Sequence, residues 1–152
     1  MKLLGMAIST PYLRQLLALK YDWIETTLHE YAKQNGYSHL TPALTRLFGH
    51  IRKKPVSISD LARKMMISRQ AVHKLLIEAK DMGYIELIDD AQDKRIKLVK
   101  FTSAGLEMAK TAIGDLEKIE MKLIDVLGPE DFQHLKRILS KDWNSECNIT
   151  KI

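Results

Sequence analysis

The sequence predicts a mainly α-helical chain with one small β-hairpin, and three observations carry that expectation. Apolar residues recur at three- and four-residue steps along most of the 152 residues, the period of a helix with one buried face. Two short runs rich in Ile, Leu and Val, Tyr84–Ile88 and Ile96–Thr102, flank the polar stretch Asp89-Asp90-Ala91-Gln92-Asp93-Lys94-Arg95, as the arms of a hairpin flank its loop. Residues that cap helices, Thr10, Thr41, Ser57, Ser68 and Thr102, stand just ahead of the periodic segments.

Each element follows from its own residues. Thr10-Pro11 predicts a helix over about 10–34, with Leu13, Leu17, Tyr21, Ile24, Leu28 and Tyr31 on one stripe and Leu16, Trp23 and Thr27 widening it. Asn35-Gly36 suits a left-handed cap at its end. Thr41-Pro42 opens a second helix that turns Leu44, Leu47, Phe48 and Ile51 inward and stops before Arg52-Lys53-Lys54 and Pro55. Ser57-Ile58-Ser59-Asp60 reads as a capping box ahead of Leu61, Ala62 and Met65. After a tight turn at Met66-Ile67, Ser68 caps a longer helix to about Met82, stopped by Gly83. Its core side is Val72, Leu75, Leu76, Ala79 and Met82, and its opposite face is Gln70, His73, Lys74 and Ile77. Beyond the hairpin, residues 103–127 form a long helix with a stripe of Leu106, Ala109, Ile113, Leu116, Ile119, Leu123 and Val126-Leu127. Gly128-Pro129 breaks it, and residues 130–143 make a last helix through Phe132, Leu135, Ile138, Leu139 and Trp143. The tail 144–152 shows no periodicity and is expected to fray.

Composition narrows the function classes. A 17.5 kDa chain with 45% hydrophobic and 28% charged residues has the balance of an ordinary globular domain, which excludes wholesale disorder, a collagen repeat and an end-to-end coiled coil. The apolar runs fall well short of the roughly 20 residues that cross a bilayer. The start Met1–Ile8 imitates a signal peptide only briefly before Ser9-Thr10-Pro11 and a helix bearing Arg14. The single cysteine, Cys147, excludes an internal disulfide and a cysteine metal cluster, and in a polar tail it reads as an inert thiol. The five histidines, His29, His39, His50, His73 and His134, share no ligand spacing, so neither a metal nor a cofactor is expected. No carboxylate pairs with a nucleophile or base in a catalytic motif, and no Gly-rich phosphate loop is present, so no enzyme is expected. A cytoplasmic protein of one domain, residues 1–152, is the expectation.

The charge is concentrated in the middle of the chain. Residues 38–103 hold 13 Lys and Arg against 7 Asp and Glu, a net of +6, while the remainder holds 11 against 12. A basic centre between near-neutral arms suits a polyanion-binding module between two segments with another task. The order helix, short turn, helix, hairpin in that centre is a winged helix. Its second helix fits the major groove of duplex DNA, and its hairpin reaches an adjoining groove. On this reading Ser68, Arg69, Gln70, His73 and Lys74 on the recognition helix, and Lys94 and Arg95 on the wing, are the candidate DNA contacts. The broad apolar faces of residues 10–37 and 103–143 suit dimerisation helices on either side of a DNA-binding part at 38–102.

The segments Ser57-Ile58-Ser59-Asp60-Leu61-Ala62, Ile67-Ser68-Arg69-Gln70-Ala71-Val72, Gly83-Tyr84-Ile85, Asp93-Lys94-Arg95 and Phe101-Thr102-Ser103-Ala104-Gly105 together resemble the multiple-antibiotic-resistance regulator (MarR) family over about residues 38–107. The resemblance implies a homodimeric winged helix-turn-helix transcription regulator, more often a repressor, on a pseudo-palindromic operator. It also implies that Asp93 braces the wing while Arg95 enters the minor groove. A small-molecule effector belongs to the same expectation, with Tyr12, Trp23, Tyr37 and Phe48 as candidate pocket residues, although ordinary core or dimer packing is the favoured role for each of them. The sequence departs from the family pattern at Ile77, where an acidic residue is usual, at Lys74, where arginine is common, and at Ala79, Met82 and Phe101. Lysine lacks the planar fork with which arginine reads guanine, so family precedent does not give the operator. The rival readings are a winged helix that pairs with another protein, supported by Ile77 and Met82, and a DNA binder without sequence preference.

Overall fold

A computed structural model describes residues 11–52 and 54–143. In chain order the elements are α1 (Leu13–Gln34), α2 (Pro42–His50), β1 (Val56–Ser57), α3 (Ile58–Met65), α4 (Arg69–Asp81), β2 (Ile85–Asp89), β3 (Lys97–Phe101), α5 (Ser103–Leu127) and α6 (Pro129–Leu139). The mainly helical chain with a hairpin is the expected fold class. The two-residue strand β1 is an addition, pairing antiparallel with β3 at Val56↔Val99 and Ser57↔Leu98 to give a sheet of order β1-β3-β2. Two residues carry no readable period, and this strand exists because the connection from α2 to α3 passes along the free edge of the hairpin.

The caps act largely as their chemistry requires. The Thr41 hydroxyl accepts from the Leu44 N–H at 3.3 Å, that of Ser57 from Asp60 at 3.1 Å, and that of Ser68 from Ala71 at 3.1 Å. Asp60 reaches back to the Ser57 hydroxyl at 2.9 Å and also holds Arg63. The first helix differs from expectation. It begins at Leu13 with Tyr12 as its cap, and the Tyr12 N–H donates to Gln15 Oε1 at 2.8 Å. Pro11 therefore precedes the helix, and Thr10 lies outside the described residues. The turn between α3 and α4 passes through Met66 at φ 56°, the one non-glycine with positive φ among the described residues.

The chain forms two compact units, residues 1–115 and 116–152, with the boundary inside α5. The core of the first packs Leu44, Leu47, Leu61, Val72, Leu76, Ile85 and Val99, all essentially sealed from solvent, with Met108 from α5 against them. Here α5 adds what the periodicity did not show. Leu106 and Ile113 of the apolar stripe are 56% and 57% exposed, while Gly105, Met108 and Asp115 face inward. Three hydrogen bonds set that rotation. The Thr102 N–H donates to the Tyr84 carbonyl at 3.0 Å, its hydroxyl donates to the Gly83 carbonyl at 2.6 Å, and the Gly105 N–H donates to that hydroxyl at 3.1 Å. Gly105 consequently lies so close to the strand that a Cβ there would sit 1.9 Å from the Tyr84 carbonyl oxygen. Two helical turns after Met108, the buried Asp115 carboxylate accepts from Asn35 Nδ2 at 2.7 Å, tying the end of α1 to α5.

In the second unit Gly128 breaks the chain with Pro129 at the first helical position, as expected. Ile119 and Phe132 are buried, and Lys136 bonds Glu120 at 2.9 Å while lying 5.4 Å over the Phe132 ring. The last helix stops at Leu139, not at Trp143, and at its end both the N–H and the hydroxyl of Ser140 donate to the Lys136 carbonyl, at 3.0 and 2.6 Å. The tail 144–152, with Cys147, lies outside the described residues.

Two stability changes follow. Gly105→Ala drives a methyl group into a backbone oxygen that cannot swing aside, and should cost about 3 kcal/mol in urea unfolding. Met66→Gly removes the left-handed penalty of a side chain that is 89% exposed and should raise stability by about 0.5–1 kcal/mol. A destabilised Met66→Gly would show that the side chain holds the turn.

Candidate nucleic-acid interface

The outer face of α4 is built by what the inner face buries. Val72, Leu76 and Ala79 are sealed in the core, so Gln70, Lys74 and Ile77 point away, with His73 on the flank and Arg69 at the start, all exposed. The Ser68 hydroxyl is occupied by the Ala71 N–H, and the ladder starts with Val72 N–H on the Ser68 carbonyl at 3.1 Å. The first two N–H groups of the helix, on Arg69 and Gln70, thus have no intrahelical acceptor and sit at the positive end of the helix, where a phosphate is favoured. Arg69 and Lys74 make no ion pair among the described residues. Leu75 and Met82 are half-buried against the core.

The wing is held from inside by two carboxylates. Asp90 Oδ1 accepts from the backbone N–H groups of Gln92 at 2.7 Å and Asp93 at 3.2 Å, closing the loop. Asp93 Oδ1 accepts from the Arg95 N–H and Nε, both at 3.0 Å, and its Oδ2 accepts from Arg95 Nη2 at 2.9 Å. The Arg95 guanidinium, with help from its backbone N–H, holds the Asp93 carboxyl below the usual carboxylate range. The brace is therefore complete at neutral pH and is lost only as pH falls through that depressed value. The guanidinium stays 92% exposed, so the pair fixes its direction without covering it. On the strands Asp89 pairs with Lys97, and Glu86 with Lys100 at 2.9 Å, directly across the ladder. Lys94 is exposed and makes no ion pair among the described residues. The wing therefore pairs its strand lysines and presents Lys94 and Arg95 outward.

The four aromatic residues suggested for an effector pocket do not all meet. Phe48 is buried and packs edge-on to Tyr84 at 5.9 Å, and Tyr37 meets the same ring at 6.4 Å. Tyr12 and Trp23 are exposed on the N-terminal side of the chain and make no ring contact with that cluster. Three members of the cluster escaped the sequence reading. His39 stacks on Tyr84 at 5.9 Å and shares a 2.9 Å hydrogen bond with its hydroxyl, Phe101 lies 5.9 Å from Phe48, and Tyr84 is the centre. Their separation along the chain leaves no local signal. Arg46 was missed for the same reason. Its Nη2 donates to the Met65 carbonyl at 3.2 Å, bracing the end of α3 just before the turn into the recognition helix.

Around that brace the charge has a pH consequence. Partial burial pushes the His50 imidazole below its usual range, and the nearby cations Lys64, Arg46 and Arg52 push it the same way. The unfolded chain then takes up this proton at a higher pH than the folded one, so stability falls as pH drops through the ordinary histidine range of about 6.5. His50→Gln should lose less stability than the parent between about pH 7.5 and 5.5. Equal losses would assign the pH dependence to other groups.

A sequence profile of the MarR family matches residues 40–96. No protein of curated function matches the sequence. Among solved structures, the transcriptional regulator PA4135 is similar with a TM-score of 0.72 at 21% identity, over 92% of this chain and 98% of its own. Wild-type MarR from E. coli, in its apo form, gives 0.70 at 20% identity over 86% and 96% of the two chains. S. aureus MepR in a complex with DNA gives 0.68 at 18% identity over 86% and 96%. The stretch 40–96 is thus similar to the MarR family, and over most of its length the chain shares the winged-helix fold of these solved regulators.

Proposed function

We propose that the chain is a sequence-specific DNA-binding transcription regulator that acts as a homodimer on an inverted repeat. One observation carries the reading furthest. The outer face of α4 and the tip of the wing present Arg69, Lys74, Lys94 and Arg95 to solvent, while the wing's other cations are paired across the sheet. A surface that neutralises its strands and leaves its tips cationic suits phosphates and groove edges. Similarity to MepR, whose structure with DNA shares this fold, supports the same direction. A repressor is the commoner habit of the family that the winged helix matches, and such a regulator acts in the cytoplasm. No helix among the described residues is long and apolar enough to cross a membrane.

The dimer rests on apolar surface that the chain does not cover itself. On α1, Leu13, Leu16, Leu19, Tyr21 and Trp23 are exposed, on α5 so are Leu106 and Ile113, and on α6 Leu135, Ile138 and Leu139. Faces of this kind on a monomer signal a partner, and a second copy of the chain is the partner proposed for them. Control by a small molecule belongs to the same reading, with Tyr37 and Phe48 on the aromatic cluster that joins α2 to the start of the wing. A protein-binding winged helix is the weaker alternative, since Met82, half its support, packs against the core.

The test is selection from a random duplex pool of about 30 bp at near-physiological salt, chosen to hold two half-sites one helical turn apart. An enriched inverted repeat is expected. Binding without enrichment that collapses as salt rises would reduce the chain to a nonspecific binder. Arg95→Ala should weaken binding and lower the salt slope by about one phosphate-equivalent, and an unchanged slope would remove the wing from the mechanism.

A further inference from the structure

Ile77 is the one exposed large apolar side chain of α4. It follows His73 and Lys74 by one helical turn and Gln70 by two, on the side opposite Val72, Leu76 and Ala79. The side chain is 51% exposed and is absent from the apolar groups packed on the core, so neither the core nor the wing shelters it. Along the helix its neighbours are His73, Lys74, Lys80 and Asp81, all exposed, and it has no hydrogen-bonding atom of its own. It therefore cannot read guanine, adenine or cytosine through their polar edges. The single apolar group on the major-groove edge of a base pair is the C5 methyl of thymine.

We propose that Ile77 is a specificity-determining residue that selects thymine at one position of each half-site by packing on its C5 methyl. The inference rests on the DNA-binding reading above and deepens it. Two effects act in the same direction. Bringing the isoleucine and the methyl together removes both from water. A cytosine in that place would press its amino group against hydrocarbon and lose a hydrogen bond to water. In a helix the β-branched side chain is nearly confined to one χ1 rotamer, so its methyl groups are held in a fixed direction before DNA arrives. Gln70 and Lys74, on the same face, would read or neutralise the neighbouring positions, which leaves Ile77 one base step to itself.

The experiment starts from the duplex enriched by the full-length protein. Each thymine of the half-site is replaced in turn by deoxyuridine, which keeps the base pair and deletes only the methyl. The expected result is one position at which the parent loses about fourfold in affinity per half-site. At that position Ile77→Ala should bind thymine and uracil alike, and Ile77→Val should keep part of the preference. Unchanged melting temperatures for both variants, as the exposed site requires, exclude misfolding as the cause. An enriched duplex whose uracil forms bind as tightly as the parent, or lose equally with Ile77→Ala, overturns the role of Ile77 and leaves the regulator reading intact. A pool with no enriched sequence overturns both.

Discussion

The arrangement of the winged helix depends on two backbone carbonyls, those of Gly83 and Tyr84. They stand where the recognition helix ends and the first wing strand begins, and Thr102 and Gly105 at the start of α5 close on them. This junction fixes three directions at once. The Tyr84 N–H returns to the Ala79 carbonyl at 3.1 Å and ends α4. The Tyr84 side chain anchors the aromatic cluster with Tyr37, His39 and Phe48. The Tyr84 carbonyl sets the rotation of α5, and so decides which of its faces is left for a partner. A side chain as small as alanine at position 105 cannot be accommodated without moving one of the three.

The same economy of polar groups shapes the wing. A long loop with three aspartates would repel DNA if its carboxylates faced outward. Instead Asp90 satisfies backbone N–H groups, Asp93 clamps Arg95, and Asp89 pairs with Lys97. The acidic residues thereby become internal struts, and the cations become the surface. The Asp93–Arg95 pair is exposed and contributes little to stability, as surface ion pairs generally do. Its effect is to restrict the arginine's rotamers before binding, which lowers the entropy lost when the side chain is ordered on DNA.

Much of this was legible in the sequence because it is local. The capping hydroxyls of Thr41, Ser57, Ser68 and Thr102, the break at Gly128-Pro129, and the periods of α2, α3 and α4 depend on neighbours within one or two turns. The DNA-facing candidates, from Ser68 to Lys74 and at Lys94 and Arg95, follow from that local order, and all are exposed. The inward face of the first half of α5 was not legible because it lies about 100° from the apolar stripe, one residue out of step. Apolarity marks the side available to a partner, whereas Gly105, Met108 and Asp115 mark the side fixed by Tyr84 and Asn35. The strand β1, the Arg46 brace and the Tyr84 cluster went unseen because each joins residues far apart in the chain. The start of α1 shifted because Gln15 reaches back to Tyr12.

On the proposed function, two winged helices of this kind engage one duplex symmetrically, each through α4 and its wing. Hydroxyl-radical footprinting of the purified protein on its enriched duplex tests this most directly. Two equivalent protected windows, centred about one helical turn apart and related by the two-fold of the inverted repeat, are the predicted result. A single window, or protection that drifts uniformly along the duplex without symmetry, would contradict it.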